Sequence, residues 1–170
     1  MPTVELRFAA LPGHVRTARM IVAAISRRSG VPDEILDEIK LAVGEACARA
    51  VTVNRQFDPM APVVVRVSND DSFAVSVVDC GPAGQYLGRA YDGGRGSPSD
   101  LLPDLGSIQS SALKPRDDDT SPPLPAGLGL ALIEGLVDDF DITAQPDSAG
   151  TVVTMRWSVK EKVDSPIVAV

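Results

Sequence analysis

The sequence predicts an α/β two-layer sandwich, a mostly antiparallel mixed sheet with its helices on one face. Three observations carry that expectation. Short runs at 3–8, 63–67, 73–79, 140–144 and 152–157 alternate apolar and polar residues, the period of half-buried strands. Longer stretches at 15–28 and 33–52, and a third from 127, place apolar residues at helical spacing. The runs at 63–67 and 73–79 flank the polar turn Asn69-Asp70-Asp71, as in a hairpin.

Each element follows from its residues. Val4, Leu6 and Phe8 alternate with polar neighbours, and Pro12 and Gly13 then punctuate the chain. Val15, Ala18, Val22 and Ile25 mark the core face of the first helix, which Arg27, Arg28 and Gly30 close; cations and a following glycine suit a helix C-terminus. Pro32, Asp33 and Glu34 open the second helix, acids facing its positive end. Its stripe is Ile35, Ile39, Ala42, Val43, Ala46 and Ala50, running to about residue 52, and 54–62 reads as a loop. From Cys80 to Pro125 glycine, proline and aspartate crowd together, a segment of the length and composition of a functional loop or a disordered insertion. Gly127-Leu128-Gly129-Leu130 then starts the last helix, with Leu128, Ala131, Leu132, Leu136 and Val137 as its core face. Two strands close the domain, and Val159 begins a tail.

The 170-residue length suits one domain, drawn at 1–159 with an insertion at 82–125 and a flexible tail at 160–170. A net charge of −7 argues against attraction to a phosphate backbone, so no direct nucleic-acid contact is expected. No run of eighteen apolar residues is present, which argues against a membrane span, and the start carries neither a basic segment nor a signal core, so a cytoplasmic location is expected. Cys47 and Cys80 are expected as buried, reduced thiols. His14 is the single histidine, leaving little room for histidine-based metal or triad chemistry, and no metal-ligating residue is assigned.

Three motifs fall in order on these elements: Leu41-Ala42-Val43-Gly44-Glu45-Ala46-Cys47 on the second helix, Val77-Val78-Asp79-Cys80-Gly81 at the end of the hairpin, and Gly127-Leu128-Gly129-Leu130 at the last helix, with Gly150-Thr151 at the final strand. Together they resemble the N box, the glycine boxes and the late threonine of the Bergerat-type ATPases (the histidine-kinase-like ATPase domains), and among these the small anti-sigma-factor serine kinases. The resemblance runs from residue 3 to about 159. It implies the Bergerat ATP-binding fold, with 82–125 as the ATP lid.

It also implies roles for particular residues. Asp79 would accept a hydrogen bond from the adenine amino group, a charge-assisted bond worth roughly 1.5–3 kcal/mol; a turn-starting aspartate before Gly81 is the plainer reading. Gly81 would let the backbone pass near the base. Gly127, Leu128 and Gly129 would offer backbone N–H groups to phosphates, and Thr151 would contact adenine. Glu45 would be the general base toward an incoming serine hydroxyl. The family places a Mg²⁺-ligating asparagine four residues later, where this chain has Arg49. A guanidinium has no acceptor and cannot hold a cation, so dependence on Mg²⁺ stays open. Arg49 would either neutralise phosphate charge or form an i,i+4 pair with Glu45 worth roughly 0.2–0.5 kcal/mol. Asn54, nine residues from Glu45, falls on the opposite helix face and does not replace the missing ligand.

A second departure is Pro125, where the kinases carry an arginine for the terminal phosphate; Lys114 and Arg116 are the nearest cations in the insertion. With both features missing, efficient phosphoryl transfer is in doubt, since that reaction depends on positioning and charge neutralisation. Arg16 and Arg19 fall on the solvent side of the first helix, and Arg19 aligns with an arginine by which the kinases dock their anti-anti-sigma partner, so the resemblance implies a partner-binding surface there. The resemblance therefore implies an anti-sigma factor of a partner-switching circuit that binds ATP, a sigma factor and an anti-anti-sigma (STAS-type) protein, phosphorylates a serine of the latter or not, and forms a homodimer. The alternative is a catalytically degenerate Bergerat-fold binding module that acts only through protein–protein contact. An orphan histidine-kinase catalytic domain would need a phosphoacceptor histidine helix, which His14 does not supply.

Overall fold

The structure, a computed structural model, describes residues 3–82, 126–145 and 149–159. The expected insertion beyond residue 82 and the tail at 160–170 lie outside the described residues. The elements are β1 (Val4–Phe8), α1 (Pro12–Arg28), α2 (Asp33–Phe57), β2 (Val63–Asn69), β3 (Phe73–Asp79), α3 (Ala126–Glu134), β4 (Asp139–Ala144) and β5 (Thr151–Trp157). The strands form one sheet in the order β1-β2-β3-β5-β4, and all four pairings are antiparallel.

Local chemistry sets the helix ends. Pro12 begins α1, where its missing N–H and fixed φ do no harm. Gly30 ends it at φ +77°, a conformation that costs glycine nothing, and Gly30 N–H and Val31 N–H return to the carbonyls of Arg27 and Ser26. Asp33 and Glu34 lie in the first turn of α2, where carboxylates oppose the positive end of the helix.

α2 packs against α1, α3, β2 and β3, so it is apolar around most of its circumference. Besides the expected stripe it buries Leu36, Cys47, Val51 and Val53. Leu36, Cys47 and Val51 share one core with the inward side of the sheet: Val63, Val65, Val67, Phe73, Val75, Val77, Val153, Met155 and Trp157. The alternation on β2, β3 and β5 therefore sorts largely as expected, inward residues buried and intervening ones open or partly open, except that Val78 near the end of β3 is buried as well.

Three expectations are corrected. α2 continues to Phe57 rather than stopping near 52, because Asn54, placed by sequence in a loop, is buried and finds partners for both ends of its amide. α3 buries Leu130 and Ile133, whereas Leu132 is 37% exposed and Ala131 only partly covered; a nine-residue apolar helix gives periodicity too little length to choose a face. Val159 packs against the core rather than starting a loose tail. No helix among the described residues is long and apolar enough to cross a membrane.

Candidate functional site

Asp79 is the last residue of β3 and stands in register with Thr151, the first of β5. The sheet thus brings the hairpin motif and the late threonine side by side. Asp79 Oδ1 accepts the Gly81 N–H at 2.9 Å, so the aspartate does start the turn. Thr151 Oγ1 donates to the Gly81 carbonyl at 3.2 Å, which fastens the turn from the other strand. Gly150 sits against the same backbone: a β-carbon there would stand 2.6 Å from the Asp79 carbonyl oxygen and 2.6 Å from Gln145 Nε2. Only glycine permits that approach.

The other oxygen, Asp79 Oδ2, accepts a hydrogen bond from Arg49 Nη1 at 2.6 Å. The two side chains are 9% and 0% exposed, Arg49 and Asp79 respectively. Neither use expected for Arg49, a phosphate or Glu45, anticipated this partner thirty residues away. Burial pushes the Asp79 carboxyl above its ordinary range, and the Arg49 charge and the Gly81 amide oppose that shift without reversing it.

Asn54 holds the turn from the helix side. Its Oδ1 accepts the Cys80 N–H at 2.8 Å and its Nδ2 donates to the Ala61 carbonyl at 3.1 Å. It faces away from Glu45, as its spacing requires, yet it positions the residue next to Asp79. The signal available in sequence was the unbroken helical pattern through Val51 and Val53.

Glu45 lies one turn before Arg49 on α2. Its Oε2 is 3.7 Å from the place a β-carbon on Gly129 would take, so the carboxylate stands beside the start of α3. Gly127 and Leu128 lie in the first turn of that helix, and Gly129 follows. The N–H groups of residues 126–129 have no i−4 carbonyl within the helix, which makes this end a favourable place for an anion. Pro125, Lys114 and Arg116 lie outside the described residues.

A second feature lies between α1 and α2. α1 and α2 enclose an open hollow of about 430 Å³ bordered by Arg16, Arg19, Arg27 and Lys40, with Asp37 the acid in its lining. Lys40 Nζ donates to Asp37 at 2.6 Å. Met20 and Leu41 expose apolar surface at its edge. The stem of Arg19 crosses Gly44, its Cδ 3.4 Å from where a β-carbon would stand. The hollow therefore abuts, through Gly44, the helix segment that carries Glu45. Arg16 and Arg19 were singled out by the sequence, on the solvent side of the first helix; the hollow itself, and the approach of Arg27 and Lys40 to it, depend on how the two helices pack.

Among the described residues no group of three or more histidine, cysteine, aspartate or glutamate side chains could hold a metal ion. Cys47 and Cys80 are free thiols; Cys47 is buried as expected, Cys80 only partly.

Comparison with known proteins places the chain in a family and agrees with its fold. A family model described as a histidine kinase-like ATPase domain matches residues 8–157. A serine-protein kinase RsbW of Bacillus velezensis is 26% identical over 162 residues, covering 95% of this chain and 89% of its own. The protein of the same name from Bacillus subtilis matches with the same identity and coverage. Among solved structures, the RsbU and RsbW domains of Rv1364c from Mycobacterium tuberculosis superpose with a TM-score of 0.59 at 18% identity, covering 94% of this chain. This chain spans 33% of that larger one.

Proposed function

The chain belongs to the histidine kinase-like ATPase domain family, and we propose that it is an anti-sigma factor of a cytoplasmic partner-switching circuit, binding ATP between Asp79 and the start of α3. In this reading it holds a sigma factor and exchanges it for an anti-anti-sigma protein. The observation that carries the proposal is the grouping of Asp79, Gly81 and Thr151 at one end of the sheet, tied through Arg49 to α2, on which Glu45, one turn earlier, stands beside Gly129. Two RsbW serine-protein kinases at 26% identity support the regulatory class.

The residues suit ATP in part. The first turn of α3, with Gly127, Leu128 and Gly129, offers backbone donors of the kind a triphosphate needs. Asp79 and Thr151 offer the acceptor and hydroxyl that an adenine edge needs, although Arg49 already engages Asp79. Bound ATP would supply the transferable phosphoryl group. Glu45, with its carboxylate beside Gly129, is then the group that would take the proton of a serine hydroxyl. Arg49 has no electron pair to offer Mg²⁺, so the ion is not assigned a protein ligand there.

Arg16 and Arg19, extended by Arg27 and Lys40, form the docking surface in this reading, and a homodimer is part of it. Four cations against one acid in the hollow lining favour an acidic partner. The test is a pull-down with candidate sigma and anti-anti-sigma proteins, followed by incubation with labelled ATP, with and without Mg²⁺. Label on a serine of the anti-anti-sigma protein, lost in Glu45→Gln, supports the kinase form. Absence of partner capture under all conditions rejects the regulatory assignment. The Arg49–Asp79 pair favours a second reading, a binding module without catalysis; partner exchange with no transferred label would select it. Sedimentation of the purified chain checks the homodimer.

A further inference from the structure

The Arg49–Asp79 contact bears directly on whether the nucleotide site is open. Both oxygens of Asp79 are engaged within the protein, Oδ1 by the Gly81 N–H at 2.9 Å and Oδ2 by Arg49 Nη1 at 2.6 Å. The carboxylate is fully buried and the guanidinium nearly so. Screening by salt is weak in such a place, and the attraction between the charges is correspondingly strong. A purine amino group is a neutral donor. Its bond to a carboxylate is weaker than one in which donor and acceptor are both charged, so it is at a disadvantage against a guanidinium already in position.

We propose that Arg49 is an internal occupant of the base-recognition carboxylate, holding the site closed so that a purine nucleotide reaches Asp79 only when the guanidinium withdraws. The inference rests on the reading of Asp79 as the base acceptor. It makes Arg49 a determinant of nucleotide affinity rather than a phosphate ligand. The apparent affinity of the chain is then the intrinsic affinity scaled by the fraction of molecules in which the pair is open. Ligand and ion pair compete for one carboxylate, so any change that weakens the pair tightens nucleotide binding, provided Asp79 remains.

The experiment is a titration of a fluorescent ATP analogue, without divalent metal, into the wild-type chain, Arg49→Gln, Arg49→Asn and Arg49→Gln with Asp79→Asn. The glutamine keeps a neutral donor near Asp79, so the buried carboxylate is not left bare, and circular dichroism checks that each variant is folded. Expected is binding at least about tenfold tighter in both single variants than in wild type, with the gain abolished when Asp79→Asn is added. Equal or weaker binding in the single variants, against measurable wild-type binding, overturns the occupant role and leaves the nucleotide site standing. No binding in any folded variant removes the nucleotide site and this proposal together. A second measurement needs no variant: the Arg49 guanidinium N–H signals of the wild-type chain, protected without nucleotide, are expected to lose that protection at saturating ATP. Protection that persists at saturation overturns the proposal.

Discussion

Asn54 spans the gap between two strands with a single side chain, accepting the Cys80 N–H at 2.8 Å and donating to the Ala61 carbonyl at 3.1 Å. Ala61 lies just before β2 and Cys80 just after β3, so the amide ties the end of α2 to both strands of the hairpin. Asn54→Leu fills the same space but leaves those backbone groups without this partner. A buried polar group stripped of its hydrogen bond costs about 1–3 kcal/mol. The variant is therefore expected to lose about 2 kcal/mol or more of stability. Urea unfolding reads this directly, because Trp157, the single tryptophan, is 2% exposed in the fold and reports its loss by fluorescence. A midpoint unchanged from wild type would mean that the bridge contributes nothing.

Gly150 and Gly129 make a matched pair of tests. A β-carbon at Gly150 meets the Asp79 carbonyl oxygen at 2.6 Å, so the end of β3 or the turn must move. Overpacking of this kind costs about 1–3 kcal/mol. At Gly129 the nearest atom is Glu45 Oε2 at 3.7 Å, an ordinary contact, and alanine favours the helix by roughly 0.8–1.0 kcal/mol over glycine. Gly150→Ala is expected to lower the melting temperature clearly and Gly129→Ala to leave it level or raise it. Calorimetry of both variants decides; equal effects would contradict the close approach at Gly150.

Cys47 gives the pH dependence. It is completely buried, and burial pushes its thiol up to about 12 from 9.0. The folded value lies above the unfolded one, so the thiol contributes stability that is intact below pH 9 and is lost as pH rises toward 12. The loss is about 1.4 kcal/mol per pH unit across that window. Cys47→Ala should show a shallower decline in stability over the same range. In the native protein a thiol reagent at neutral pH is expected to modify Cys80 and to reach Cys47 only after unfolding. Rapid modification of both thiols in the folded chain would be inconsistent with this packing.

The fold was legible because its strands are amphipathic and its helices long. Val63, Val65 and Val67 or Val153, Met155 and Trp157 announce a buried sheet face by period two, and α2 shows its stripe over several turns. α3 misled because Leu128, Leu130, Leu132 and Ile133 are apolar in almost every direction, so the sequence names a buried helix without naming its face. The site divides in the same way. Asp79, Gly81 and Thr151 could be grouped from motif order, since a sheet brings strand ends together. The Arg49–Asp79 pair could not, because it depends on the distance between α2 and β3 and on the reach of one side chain. Asn54 escaped for a different reason: a polar residue at an apparent helix end reads as loop unless its buried partners are known.

Arg19 performs two tasks that can be separated. Its aliphatic stem covers Gly44, with Cδ 3.4 Å from the absent β-carbon, while its charge borders the hollow shared with Arg16, Arg27 and Lys40. Arg19→Gln keeps most of the stem and removes the charge. Stability is expected to stay within about 0.5 kcal/mol of wild type, as for other surface changes. Charge at an interface acts mainly on encounter rates and their salt dependence. Association with an acidic anti-anti-sigma partner is therefore expected to slow by several-fold at low salt, and less at high salt, where the Debye length falls to about 3 Å at 1 M. Arg66, which donates to Glu5 on the sheet edge, is the control: Arg66→Gln should leave association unchanged. Stopped-flow binding across a salt series measures both. Identical rates for Arg19→Gln and Arg66→Gln would place partner docking away from the α1–α2 hollow.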